Sequence, residues 1–274
     1  MGLCKVLWPL FLDTFKKEVR SKSVLLFVAV MAMMAAIGIF LKGFFSEGAD
    51  QFYSFLQSIC LRNVPFLVGI FFAAAVGSST LRSDLKTSVA MQIAAFPLPA
   101  WAYVATRVVG AWAVVMIYEL LFVGGLLLLS WSIFPEMVWN DMQTNFHFAW
   151  VSGVSFGGIY LLGVVLVAAV LAMYVKELVA LVLVFVFYVV TLLAGYGNLI
   201  TQDIGVSAKS ILGTLLSLVF PPLAWWNGLA DQAFEEKVAA LNVAEAAYLI
   251  WSLIIIAGWI WILSRLLRRQ NYQV

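Results

Sequence analysis

Charge is scarce in this chain. Asp, Glu, Lys and Arg make up 11% of its 274 residues, against 64% hydrophobic residues, and the mean hydropathy is +1.03. A soluble domain of this length cannot cover its surface with so few charges. Histidine is rarer still: His147 stands alone, beside a polar loop, and reads as a solvated or interfacial residue. Histidine-rich metal sites and His-based catalytic triads are therefore not expected. The two cysteines, Cys4 and Cys60, fall on opposite sides of the membrane in the topology below and have no metal-ligand company, so they read as small apolar residues. The sequence lacks G-x-x-x-x-G-K-[ST], H-E-x-x-H and C-x-x-C. We expect no nucleotide hydrolysis by this chain itself, no cofactor or metal on it, and no enzymatic activity. No basic patch is interleaved with aromatics, so nucleic acid is not an expected partner. The acidic group Asp231, Glu235 and Glu236 reads as a solvated face.

Long apolar runs are what the chain has instead. They cover about 23–41, 63–80, 103–133, 148–174, 178–199 and 246–263. Each is long enough to cross a hydrocarbon core as a helix, and none alternates as a barrel strand would. The expected fold is all-α: a polytopic membrane protein with six transmembrane helices in a single domain, 1–274. The third run is over-long and predicts tilt or protrusion. With the N-terminus inside, only Lys42, Arg62, Lys209 and Lys237 of the 16 basic residues lie outside. That bias sets both termini on the cytoplasmic side.

Between the runs lie amphipathic stretches. In 3–20, Leu3, Leu7, Phe11 and Phe15 repeat every four residues, while Lys5, Asp13, Lys16 and Arg20 take the other side. This is the pattern of a helix lying in the membrane interface. Pro9 predicts a kink, or a start near it. Glu18 projects from the apolar side, where it caps, pairs or meets water at a turn. In 83–96, charged Asp84 and Lys86 keep the segment out of the hydrocarbon, and Leu85, Val89, Ile93 and Phe96 share one helical face. Pro97 and Pro99 end that helix, Trp101 and Tyr103 suit the headgroup level, and Arg107 is placed to snorkel. The segment reads equally as a surface helix that a cytoplasmic partner could push or as a solvated loop. The apolar stretch 210–224 is short and broken by Pro221 and Pro222, so it reads as a re-entrant or interfacial element.

Two features lie inside the spans. Glu119 sits mid-helix in the third run, where an acid costs about 2.5–3.5 kcal/mol. A substrate or proton role and a structural hydrogen bond to a neighbouring span both fit. Gly153 and Gly157 have the GxxxG spacing that lets helix backbones approach, within one bundle or between two chains.

This arrangement resembles the permease subunit of an ABC-2 type transporter. Phe15-Lys16-Lys17-Glu18-Val19-Arg20 is similar to that family's signature in its N-terminal elbow helix, and Pro97 with Arg107 matches its spacing at the start of span three. Asp84 and Ser88-Val89 depart from the usual Glu and Gly-Thr, and Ala100 stands where a basic residue is common. The resemblance implies an elbow helix at 3–20 bearing Lys17, Glu18 and Arg20. It also implies a cytoplasmic coupling helix at 83–96, whose Asp84, Leu85, Lys86, Val89, Ile93 and Phe96, with Pro97, meet a separate ATPase that binds the ATP. Further implications are a second permease chain, identical or not, an export direction, and a place in the bacterial cytoplasmic membrane. The competing expectations are a non-transporting assembly or signalling subunit and a membrane-embedded enzyme. The enzyme fits poorly, because Glu119 has no second acid or nucleophile near it in sequence.

Overall fold

The computed structural model describes residues 3–20, 28–29, 32–33, 36, 40, 64–86, 99–133, 135–136, 139, 146–194 and 243–271. Among these the chain is all-helical. Its six helices are α1 (Leu3–Val19), α2 (Val64–Lys86), α3 (Ala100–Ile133), α4 (Phe146–Tyr174), α5 (Glu177–Ala194) and α6 (Val243–Asn271). Stretches within three of them, Ala100–Gly125, Ser155–Tyr174 and Leu249–Arg269, are long and apolar enough to cross a membrane. The apolar parts of α2 and α5, Val68–Arg82 and Glu177–Tyr188, are shorter. The first expected span and the element at 210–224 lie outside the described residues, apart from isolated helical positions between 28 and 40.

Apolar side chains on all six helices decide the packing. α2 and α4 form the most extensive pair, α3 lies against both, and α1 rests on α3. Ile70, Ala73 and Val76 of α2 meet Leu161, Val164, Val165 and Ala168 of α4 in a core completed by Val104, Ala111, Val115 and Phe122 of α3. The two helices come close at Gly77, where a Cβ would stand 2.5 Å from the Val165 carbonyl oxygen and 2.9 Å from its Cα. Only glycine permits that approach. Gly157, singled out for its spacing with Gly153, is buried on α4, yet the backbone approach between α2 and α4 is made by Gly77 on the partner helix.

Helix ends differ from expectation at several places. α1 starts at Leu3 and runs through Pro9 without interruption. α2 does not stop near residue 80: residues 83–86 continue it, so no separate helix begins at 83. α3 spans 34 residues, or roughly 51 Å at 1.5 Å per residue, well beyond a bilayer core. Pro99 opens α3, its carbonyl accepting from the Ala102 and Tyr103 amides at 2.9 and 3.3 Å. The expected tail after 263 is helical to Asn271. The very short turn at Lys176 is present, with the Lys176 carbonyl accepting from Ala180 N–H at 2.9 Å. Arg82 of α2 closes the end of α4, donating to the carbonyls of Ala172 (3.1 Å) and Val175, with Glu177 4.0 Å away. A guanidinium there satisfies carbonyls that the helix leaves over and offsets its negative end.

Candidate functional site

Polar residues gather where α1, the end of α2 and the start of α3 meet. On α1, Leu10, Thr14 and Glu18 follow one another at i+4 and turn inward, flanked by Asp13 and Lys17. α2 contributes Ser79, Thr80 and Asp84, and α3 contributes Tyr103 and Arg107, one turn apart.

Asp84 is the centre. It is 2% exposed, and three donors reach its carboxylate. Lys17 Nζ lies 2.9 Å from Oδ1. The Tyr103 hydroxyl donates to Oδ2 at 2.5 Å, and Arg107 Nε is 2.9 Å from Oδ2. Arg107, also 2% exposed, reaches on to α1: its Nη1 donates to Asp13 Oδ2 at 2.9 Å and to Thr14 Oγ1 at 2.8 Å. The Thr14 hydroxyl passes its own proton to the Leu10 carbonyl at 2.9 Å. The Arg107 guanidinium also lies 5.6 Å from the Tyr103 ring centre. Two cations, Lys17 and Arg107, thus balance two anions, Asp13 and Asp84. Burial is tolerable only because of this pairing, since an isolated buried charge costs several kcal/mol.

Glu18 sits beside the network, 2% exposed. Its oxygens lie 3.4 Å from the Ser79 hydroxyl and 3.3 Å from that of Thr80. Each hydroxyl has one proton, and each has a shorter bond to the Val76 carbonyl, at 3.0 Å from Ser79 and 2.6 Å from Thr80. With those protons committed, the Glu18 contacts are best satisfied when Glu18 carries the proton and donates. Burial points the same way, raising its pKa from 4.5 to about 7 against the opposing pull of the Lys17 charge.

A second acid lies deeper. Glu119 is 6% exposed on α3, and its Oε2 is 2.8 Å from where a Cβ on Gly69 of α2 would be, with Leu161 of α4 alongside. The missing side chain at Gly69 makes room for the carboxyl group. Among the described residues no hydrogen bond or ion pair to Glu119 is present, so the Ser, Thr or Tyr partner anticipated for it is not found there.

The two groups of site residues singled out in sequence therefore fare differently. Lys17 and Glu18 both turn toward α2, while Arg20 is exposed at the end of α1. Asp84, expected to face a cytoplasmic partner, is instead enclosed, because Lys17, Tyr103 and Arg107 all draw it inward. Arg107 does not snorkel; Asp84 and Asp13 give it partners within the bundle. Leu85 and Lys86 belong to the last turn of α2, and Val89, Ile93, Phe96 and Pro97 lie outside the described residues. Sequence reasoning passed over Asp13, Thr14, Ser79, Thr80 and Tyr103 as members of this junction. The available signal was an acid and a base, Asp84 and Arg107, flanking one connection at the ends of consecutive runs. Among the described residues no group of three or more His, Cys, Asp or Glu is arranged to hold a metal ion. No family model matches this chain, and no curated protein matches it significantly.

Proposed function

We propose that this chain is the membrane-spanning subunit of an ABC-2 type transporter, forming the path for an exported substrate and driven by a separate ATPase. One observation carries the reading. The connection 87–98, between α2 and α3, is bracketed by two residues that are ion-paired to each other and to α1: Asp84 on one side and Arg107 on the other. A force applied to that connection reaches α1, α2 and α3 together, as a coupling element requires. Asp84 then transmits the force from inside the bundle, and Leu85, Lys86, Val89, Ile93, Phe96 and Pro97 are the residues offered to the motor. In this reading α1 is the elbow helix, α2 to α6 with the run at 23–41 are the six crossings, and a second permease chain completes the path. Both termini face the cytoplasm of a bacterial cell, and ATP stays on the partner. Coupling comes from the different contacts that the motor makes in its two states.

The test is co-purification of the full chain with a P-loop ATPase from its native membrane. Leu85→Asp with Lys86→Glu should abolish capture while membrane insertion and yield stay as in the wild type. Capture that persists through both substitutions, or a wild-type chain that brings down no ATPase, overturns the assignment.

A further inference from the structure

The end of α6 carries a feature that the transport reading does not use. Trp261, Arg265, Arg268 and Arg269 follow one another at i, i+4, i+7 and i+8, on one side of the helix. All four are exposed, and with Ile262 and Leu266 they line an open cavity of about 540 Å³. The Arg265 guanidinium lies 5.2 Å from the Trp261 ring centre, which holds the arginine against the helix. Among the described residues no carboxylate pairs with Arg265, Arg268 or Arg269. This distinguishes them from Arg82 and Arg107, which find acceptors within the fold.

Apolar surface continues directly from the arginines along the helix. Most of the stretch Leu249–Arg269 is not buried, and Ile254, Gly258 and Trp261 extend the same stripe away from Arg265. At Gly258 a Cβ would meet nothing within 4 Å, so the stripe has an open notch one turn beyond Trp261. From end to end the surface therefore presents a cationic cradle, an aromatic ring suited to headgroup depth, and an exposed apolar stripe with a notch at Gly258.

We propose that this face of α6 is a binding site for an anionic phospholipid. The phosphate lies among Arg265, Arg268 and Arg269, and an acyl chain runs past Trp261 into the notch at Gly258. Charge complementarity selects the headgroup, and guanidinium forks suit a phosphate better than lysine does. Zwitterionic lipid has the same chains but no net charge, so it is the discriminating control. The proposal is independent of the transport assignment, since it concerns a surface that any membrane protein with this helix would present.

The experiment uses the full chain, delipidated in neutral detergent, with native mass spectrometry counting bound phosphatidylglycerol against phosphatidylcholine of the same acyl chains. The wild type should prefer phosphatidylglycerol at least about tenfold. Each arginine removed should weaken that binding about fivefold, as for a basic side chain held near an anionic leaflet, so Arg265→Gln, Arg268→Gln and Arg269→Gln together should cost roughly a hundredfold. If that triple change disturbs insertion, the Arg→Lys triple keeps the positive end of the chain and should still lose binding severalfold. Gly258→Leu should weaken the lipid without altering the charge. Lys16→Gln with Lys176→Gln, two exposed cations elsewhere, should leave binding unchanged. Equal binding of the two lipids, an Arg→Lys triple that binds as the wild type does, an equal loss in the Lys16/Lys176 control, or full displacement by millimolar inorganic phosphate would each overturn the proposal; the last would mark a free-phosphate site.

Discussion

Replacing Asp84 by Asn is the sharpest perturbation of the three-helix junction. The amide keeps the shape and can still accept from Tyr103, but it removes the buried anion beside Arg107. Arg107 is then left 2% exposed with Asp13 as its remaining carboxylate, and Asp13 is 65% exposed. An exposed anion compensates a buried cation poorly. Breaking a buried ion pair from one side typically costs about 3–5 kcal/mol. The lower end applies here, because Lys17 is 38% exposed and can turn to water when its partner is lost. The expected loss for Asp84→Asn is therefore about 3 kcal/mol. Arg107→Gln should cost a similar amount for the mirror reason, leaving Asp84 enclosed with only Lys17 and Tyr103. Removing both charges leaves neither stranded, so the double variant should lose much less than the two single losses added together. The assay is unfolding of the full chain in mixed micelles, measured for wild type, both singles and the double. Cysteine accessibility at Thr14→Cys would report whether α1 has lifted. Losses within about 0.5 kcal/mol for Asp84→Asn, or single losses that simply add in the double, would refute the coupled burial of these charges.

Glu18 predicts a pH effect near neutrality. Its folded pKa, about 7, lies above the unfolded value of 4.5, so the folded state holds the proton more tightly. Its favourable contribution is fully present below 4.5, falls as pH rises, and is lost above 7, a span worth roughly 3 kcal/mol for this nearly enclosed group. Glu18→Gln should flatten that decline and be the more stable protein at pH 8; a wild type whose stability does not fall between pH 5 and 8 would count against a protonated Glu18. At Gly69 an added methyl would press on the Glu119 carboxyl oxygen 2.8 Å away and on Leu161. Gly69→Ala should cost about 1–3 kcal/mol, and Glu119→Ala in the same chain should recover part of it. No recovery would mean that Leu161, not Glu119, fills that space.

Much of this protein could be read along one dimension. An apolar run of helical length specifies a buried or lipid-facing helix wherever it occurs, which is why α3, α4 and α6 lie over the runs at 103–133, 148–174 and 246–263. Lys176 could be read as a tight turn for the same reason, since charge interrupts apolar sequence there. Helix ends were less legible. Residues 83–86 and 264–271 are polar enough to suggest that the helix has stopped, yet hydrogen bonding within the backbone carries both helices on.

Partnership was another matter. Arg107 is separated by 94 residues from Asp13, and nothing local to either distinguishes a snorkelling arginine from one buried in an ion pair. The free energy of a charge depends on what surrounds it in space, and that was settled only when α1, α2 and α3 came together. The same holds for Glu18, whose preference for the proton follows from its burial against α2, where Ser79 and Thr80 lie 61 and 62 residues away, and for Gly69, whose missing side chain matters only because Glu119 arrives opposite it. Hydropathy and helical period act through near neighbours and belong to the sequence; desolvation, charge pairing and close backbone approach act across the bundle and belong to the tertiary structure.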